Sequence, residues 1–199
     1  MAFYNENGEL VDITKIETNE QDMVARYIEP QDCVLELGAR YGTVSCIINQ
    51  KLADKTKQVS VEPLLLVHQA LEENMARNNC QFTVWKGFVS KKPFVLEGTG
   101  YVATFKEGSD EKYPCISLED LEAMYGLQFD TLVADCEGGL ETFFDDHPWF
   151  YSRLKTAIIE RDLPYKCNYD KIEEQLTAHG LQVIDSRDNG FYKVWKKIA

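Results

Sequence analysis

The sequence predicts an α/β fold: a doubly wound, mostly parallel seven-stranded sheet that ends in an antiparallel hairpin. Three observations predict it. Apolar runs of strand length alternate with segments of helical period, as in a parallel sheet wrapped by helices. One such run, Cys33-Val-Leu-Glu-Leu37, passes directly into a turn with glycines at Gly38 and Gly42 and then into a helix. The last two runs, 181–185 and 191–195, alternate with period two around a turn ending in Asn189-Gly190.

Taken in order, residues 1–17 read as an N-terminal arm with a short strand at 10–13. Thr18 or Asn19 caps a helix that runs to about Ile28, and Pro30 stops it. The opening strand and its helix, 43–53, follow. Lys57–Glu62 is the second strand, stopped by Pro63. Residues 64–78 form a helix with Leu66, Ala70, Leu71 and Met75 on one side. Gln81–Lys86 is the third strand. Residues 91–114 are the least regular, an insertion over the mouth of the site in which 94–96 and 101–105 pair across 97–100. Ser117 caps the next helix, with Asp120 at its third position. Residues 129–135 are the fourth strand, and a short helix starts at Leu140. Trp149-Phe-Tyr151 is a core or lid cluster. Residues 156–160 are the fifth strand, and a helix from Asp170 to His179 stops at Gly180. No repeat or second domain is visible, so 1–199 reads as one domain.

Composition limits the function. A chain of 199 residues with 44% hydrophobic and 12% aromatic residues can bury a sizeable core. No run reaches transmembrane length, and the polar, acidic first ten residues are not a secretion signal. A net charge of −12 argues against tracking nucleic-acid phosphates; the basic pairs Lys91-Lys92 and Lys196-Lys197 are short. The six cysteines form no C-x-x-C pair, which predicts reduced thiols and a cytoplasmic setting. The three histidines are far apart in the chain, and no metal site is expected.

The glycine turn is informative by what it lacks. A dinucleotide fold wants G-x-G-x-x-G. Here Glu36, Gly38, Ala39, Arg40 and Gly42 spell E-x-G-x-x-x-G, which resembles the first motif of class I S-adenosylmethionine methyltransferases. Glu62, 26 positions after Glu36, stands where two ribose hydroxyls would be held, or is a plain strand end. Gly87 and Phe88 offer backbone groups and an apolar wall to an adenine, although Phe88 could equally be core. A second acidic-glycine turn follows the fourth strand at Asp135-Cys-Glu-Gly-Gly139, and the fifth strand closes on Glu160.

With these pieces in place the chain resembles the FkbM-type S-adenosylmethionine-dependent O-methyltransferases. The matching segments are 34–43, Val61-Glu-Pro63, 71–78, 116–121, 132–141 and Ile158-Ile-Glu160, in order from about residue 18 onward. The D-x-E-G-x-x-E turn at 135–141 is the most specific. The resemblance implies a Rossmann-like class I methyltransferase fold, S-adenosyl-L-methionine as cofactor, and methylation of a hydroxyl, commonly on a sugar or glycan. Two departures stand out: Arg40 where the family often has Asn, and Cys136 where an apolar β-branched residue is usual.

The residues imply a mechanism beside the resemblance. In open α/β sheets, ligands sit beyond the C-terminal strand ends, where Gly38, Glu62, Gly87, Asp135 and Glu160 all fall. Glu36 and Asp135 are placed to favour a sulfonium charge. Asp135 is the expected base for the acceptor hydroxyl, with Glu137 or Glu160 as substitutes, or else it anchors the cofactor's ammonium group. Tyr101, Phe105 and Tyr113 are available to stack on a sugar ring. Alternatives are a metal-dependent enzyme on a small aromatic, with Asp135, Glu137 and Glu160 around magnesium, and a nucleotide-binding module without chemistry. The missing dinucleotide motif counts against an NAD(P) oxidoreductase.

Overall fold

All four residues of β1 (Val34–Leu37) are buried, and the main sheet is built outward from it. The computed structural model describes residues 1–97 and 104–198. The other strands are β2 (Gln58–Val61), β3 (Thr83–Trp85), β4 (Phe88–Val89), β5 (Phe94–Glu97), β6 (Thr104–Glu107), β7 (Cys115–Ile116), β8 (Thr131–Ala134), β9 (Thr156–Glu160), β10 (Leu181–Arg187) and β11 (Tyr192–Lys197). The helices are α1 (Thr18–Tyr27), α2 (Thr43–Lys51), α3 (His68–Arg77), α4 (Leu118–Tyr125), α5 (Leu140–Asp146), α6 (Phe150–Arg153) and α7 (Tyr169–Ala178).

Seven strands form the main sheet in the order β10-β11-β9-β8-β1-β2-β3. Every neighbouring pair is parallel except those of β11, which runs antiparallel to both β9 and β10. The predicted sheet and its closing hairpin are therefore present. Period-two alternation divides the strands between two layers. Leu35, Leu37, Leu132, Ala134, Ala157 and Ile159 face the larger core with α4, α5 and α7. Val34, Val133, Ile158 and Val194 face Met23 and Val24 of α1 and Ile48 of α2. Among the described residues no helix is long and apolar enough to cross a membrane.

Several boundaries differ from expectation. The predicted strand at 10–13 is a single bridge between Tyr4 and Leu10. Glu17, in the left-handed region at φ 50°, occupies the N-cap position of α1 with no side-chain cap bond, so neither Thr18 nor Asn19 caps it. The helix expected from Leu64 begins with a 3-10 turn at Leu65–Val67, which turns Leu66 outward. β5 and β6 pair antiparallel, Phe94 opposite Glu107 and Glu97 opposite Thr104. The partner strand therefore runs on to Glu107, past the 105 expected, with Leu96 opposite Phe105, and residues 101–103 and most of that predicted hairpin turn lie outside the described residues. Phe150 and Tyr151 are buried, and Tyr151 stacks on Phe144 with centroids 3.9 Å apart, so that cluster is core. The Ser117 cap is present: its Oγ accepts the Asp120 N–H at 3.1 Å.

The N-terminal arm is fastened to α3. Asn74 and Asn78 accept the Tyr4 and Ala2 N–H groups through their side-chain oxygens and return bonds to the carbonyls of the same residues. Phe3 is buried beside Leu71 and Phe82. Glu6 accepts the Tyr41 hydroxyl, which ties the arm to the turn after β1.

Candidate active site

A cavity of about 370 Å³ opens beyond the C-terminal ends of β1, β2, β8 and β9. This is where an open α/β sheet binds its ligand. Its floor is the turn after β1. Gly38 has φ +91°, and a Cβ there would stand 1.7 Å from the Asp135 carbonyl oxygen. The first and second acidic-glycine turns therefore touch backbone to backbone, and only glycine permits it. Gly42, at φ 79°, provides the left-handed N-cap of α2.

Glu62 supports the same turn from the next strand. It is 6% exposed; its Oε2 accepts the Arg40 N–H at 2.7 Å and its Oε1 accepts the Leu64 N–H at 2.7 Å. Burial raises its carboxyl pKa, and those backbone donors oppose the shift. Arg40 holds the left-handed conformation at φ 44°, an unfavourable one for a side-chain-bearing residue that the Glu62 bond helps to fix. The Arg40 guanidinium donates to the Tyr41 hydroxyl at 3.2 Å.

The wall beyond β8 and β9 is acidic. Asp135 and Glu137 follow β8, Glu160 ends β9, and α1 adds Glu17 and Glu20. Glu137 lies in the left-handed region at φ 52°, followed by Gly138 at φ 81°. Asp162 clamps this turn: its Oδ1 accepts the Gly138 N–H at 2.9 Å and the Tyr169 hydroxyl at 2.5 Å. Burial pushes the Asp135 carboxyl well up, and the carboxylates of Asp162, Glu20, Glu17 and Glu137 add to it. Glu160 is raised first by burial and then by contact with Glu20. Burial likewise raises Glu17, against the bond it accepts from the Thr43 hydroxyl.

The opposite wall is aromatic. Phe88 and Phe94 lie with centroids 5.8 Å apart, and both line the cavity with Leu96 of the β5–β6 hairpin. The Phe88 and Ser90 N–H groups are engaged by the Pro114 and Ile116 carbonyls at 2.9 and 2.8 Å. These two donors are therefore used in holding β4 against β7, and Phe88 contributes an apolar surface.

No family model matches the chain, and no curated protein matches it. Solved structures do. Precorrin-6y C5,15-methyltransferase from Geobacter metallireducens is 14% identical, with 89% of this chain and 88% of that one covered at TM-score 0.56. A candidate O-methyltransferase from Klebsiella pneumoniae is 13% identical, with 93% and 82% covered at 0.55. A candidate tRNA (m1A22) methyltransferase from Streptococcus pneumoniae, in complex with S-adenosyl-L-methionine, is 13% identical, with 90% and 72% covered at 0.51.

The chain has the Rossmann-like fold of these methyltransferases. Within that fold the predicted site residues separate into two groups. Gly38, Arg40, Glu62, Phe88, Asp135, Glu137 and Glu160 all line the cavity. Ala39 and Glu36 do not; they border a smaller space of about 20 Å³ under α1. Glu36 shares the face of Val34, and its Oε2 accepts the Ser60 hydroxyl at 2.5 Å beneath α2. Gly42 packs against Leu71, and Gly87 against Pro114, whose carbonyl oxygen would lie 2.1 Å from an added Cβ. Tyr113 packs edge-on to Phe88, centroids 6.3 Å apart. Tyr101 and the Phe105 side chain lie outside the described residues. Sequence reasoning missed Glu17, Glu20 and Tyr192, because α1 and β11 reach the cavity only through the tertiary fold. The run Glu17-Thr-Asn-Glu20 carries no signal beyond an acidic helix start.

Proposed function

We propose that the protein is an S-adenosylmethionine-dependent O-methyltransferase acting on a hydroxyl of a sugar or glycan. The observation that carries the reading is the contact of the two acidic-glycine turns, Gly38 against Asp135, at the floor of the cavity. It packs the turns after β1 and β8 together, so that Gly38 and the Asp135 carboxylate line the cavity side by side. The cofactor would supply an electrophilic methyl group. The residues present fit it: Gly38 brings side-chain-free backbone to the cavity, and Glu62 is a buried carboxylate at the tip of β2. Each Glu62 oxygen accepts one backbone N–H and keeps a further lone pair for a ribose hydroxyl. Phe88 gives the adenine an apolar wall, and the carboxylates beyond β8 and β9 favour a positive reacting centre.

Methyl transfer is an in-line displacement, so orientation is the main contribution of the enzyme, up to about 7–11 kcal/mol. An alcohol also needs a base. Asp135 is that base in this reading; it stands at the end of β8 and lines the cavity. The acceptor class rests on the FkbM resemblance and on charge. Six carboxylates and one cation, Arg40, line the cavity among the described residues. Such a wall repels a phosphate backbone and admits a neutral polyol.

Calorimetric titration with S-adenosylhomocysteine, with NAD in parallel, tests the cofactor assignment. Binding of the first alone supports it; binding of NAD alone, or of neither, overturns it. Transfer of labelled methyl to a panel of sugars, small phenols and RNA then tests the acceptor, and exclusive labelling of RNA would refute the sugar assignment.

A further inference from the structure

Three carboxylates from three separate elements meet at one edge of the cavity. Glu20 comes from α1, Asp135 follows β8 and Glu160 ends β9, and one oxygen of each lies within 4.8 Å of the others. Two oxygens bound to one ion can be no farther apart than twice the ion–oxygen distance, about 4.2 Å for Mg²⁺ and about 4.6–5.2 Å for Ca²⁺. The 4.8 Å bound lies within the span of Ca²⁺, and a smaller ion would draw the carboxylates inward.

A second observation points into the same space. Glu20 is 5% exposed, it lines the cavity, and its Oε2 is buried without a hydrogen-bond partner. A buried carboxylate oxygen with no donor is costly, and a cation would offset it for all three carboxylates at once, where a proton shared between Glu20 and Glu160 serves only those two. The basic side chain next to Glu160 in the chain does not do so: Arg161 pairs with Asp170 at 3.0 Å and Glu173 at 3.4 Å. The sequence pattern offers Asp135, Glu137 and Glu160 as ligands; in the fold Glu137 lies outside the group and Glu20 takes its place.

We propose that Glu20, Asp135 and Glu160 bind one hard divalent cation of the Mg²⁺, Mn²⁺ or Ca²⁺ class, with its remaining coordination positions open to the cavity. If the methyl-transfer reading holds, on which this last step rests, an acceptor hydroxyl would take one of those positions and pass its proton to the second oxygen of Asp135, since each carboxylate offers the ion one oxygen.

The test uses the full chain, stripped with a chelator and desalted, titrated with Mn²⁺. Free Mn²⁺ is followed by electron paramagnetic resonance, and heat by calorimetry. One Mn²⁺ per chain, displaced by Mg²⁺ or Ca²⁺, is expected. Glu20→Gln and Glu160→Gln should each weaken it by about tenfold or more, and Glu137→Gln should not. Thermal melting verifies folding, and if Glu20→Gln does not fold, Glu160→Gln decides alone. No Mn²⁺ binding, or binding indifferent to both variants, overturns the site. S-adenosylhomocysteine is titrated into the same samples. Its binding without Mn²⁺ binding removes the cation site and leaves the methyltransferase reading standing; Mn²⁺ binding that depends on Glu20, without S-adenosylhomocysteine binding, does the reverse.

Discussion

Glu62 accepts the backbone N–H of Arg40 at 2.7 Å, so the tip of the second strand holds the glycine turn of the first in place. One carboxylate thereby shapes the turn, and in the proposed reading it also presents its spare lone pairs to the cofactor's ribose. Glu62→Ala removes both. It should weaken S-adenosylhomocysteine binding by at least about tenfold, since each charge-assisted bond contributes roughly 1.5–3 kcal/mol. Calorimetry reads it directly, and an unchanged Kd would remove Glu62 from the cofactor site.

The backbone contact beneath the cavity sets a second expectation. Gly38→Ala places a methyl group where the Asp135 carbonyl oxygen already stands, and does so at a positive φ. One turn must move, at a cost of at least about 3 kcal/mol if the chain folds at all. Urea unfolding measures it. A stability equal to that of the parent would mean that the two turns are not in contact.

These two residues show how much was legible. The strand, the glycine turn and the carboxylate at the next strand's tip are local patterns, and Gly38 and Glu62 stand where the pattern puts them. Glu36 was also visible as part of the motif, but its placement follows from parity. It shares the face of Val34 under α2, whereas Leu37 faces the other way and Gly38, beyond the end of β1, lines the cavity. Glu20 had no local mark at all. Only the packing of α1 against β9 and β11 carries it to Asp135 and Glu160. The β5–β6 pairing was misplaced for a related reason: alternation predicts a strand but not its register, which the connecting turn fixes.

Asp135 carries the chemical expectation. It lines the cavity at the end of β8, where an acceptor hydroxyl would lie in the proposed reading. Asp135→Asn keeps the shape and removes the base. Turnover should fall at least about a hundredfold while S-adenosylhomocysteine binding remains measurable. A single-turnover rate near that of the parent would assign Asp135 to positioning instead.

Glu36 makes the pH dependence of stability testable. Burial holds its carboxyl up at about 7, and its Oε1 has no hydrogen-bond partner. In the unfolded chain a glutamate titrates near about 4.3. Between these two values the native chain keeps a proton that the unfolded chain has released. Stability from this group is therefore full below about pH 4, declines as pH rises toward 7, and levels off above it, a loss of up to about 4 kcal/mol. Glu36→Gln mimics the protonated acid: its amide oxygen still accepts from Ser60, and no charge can form beneath α2. The variant should gain stability relative to the parent as pH goes from 5 to 8. Urea unfolding of both proteins at the two pH values isolates this group from the other buried carboxylates, because those are common to both chains. A parent–variant difference that stays constant across the range would mean that Glu36 is ionised throughout, balanced by a donor supplied from the Asn49–Gln58–Ser60 chain beside it.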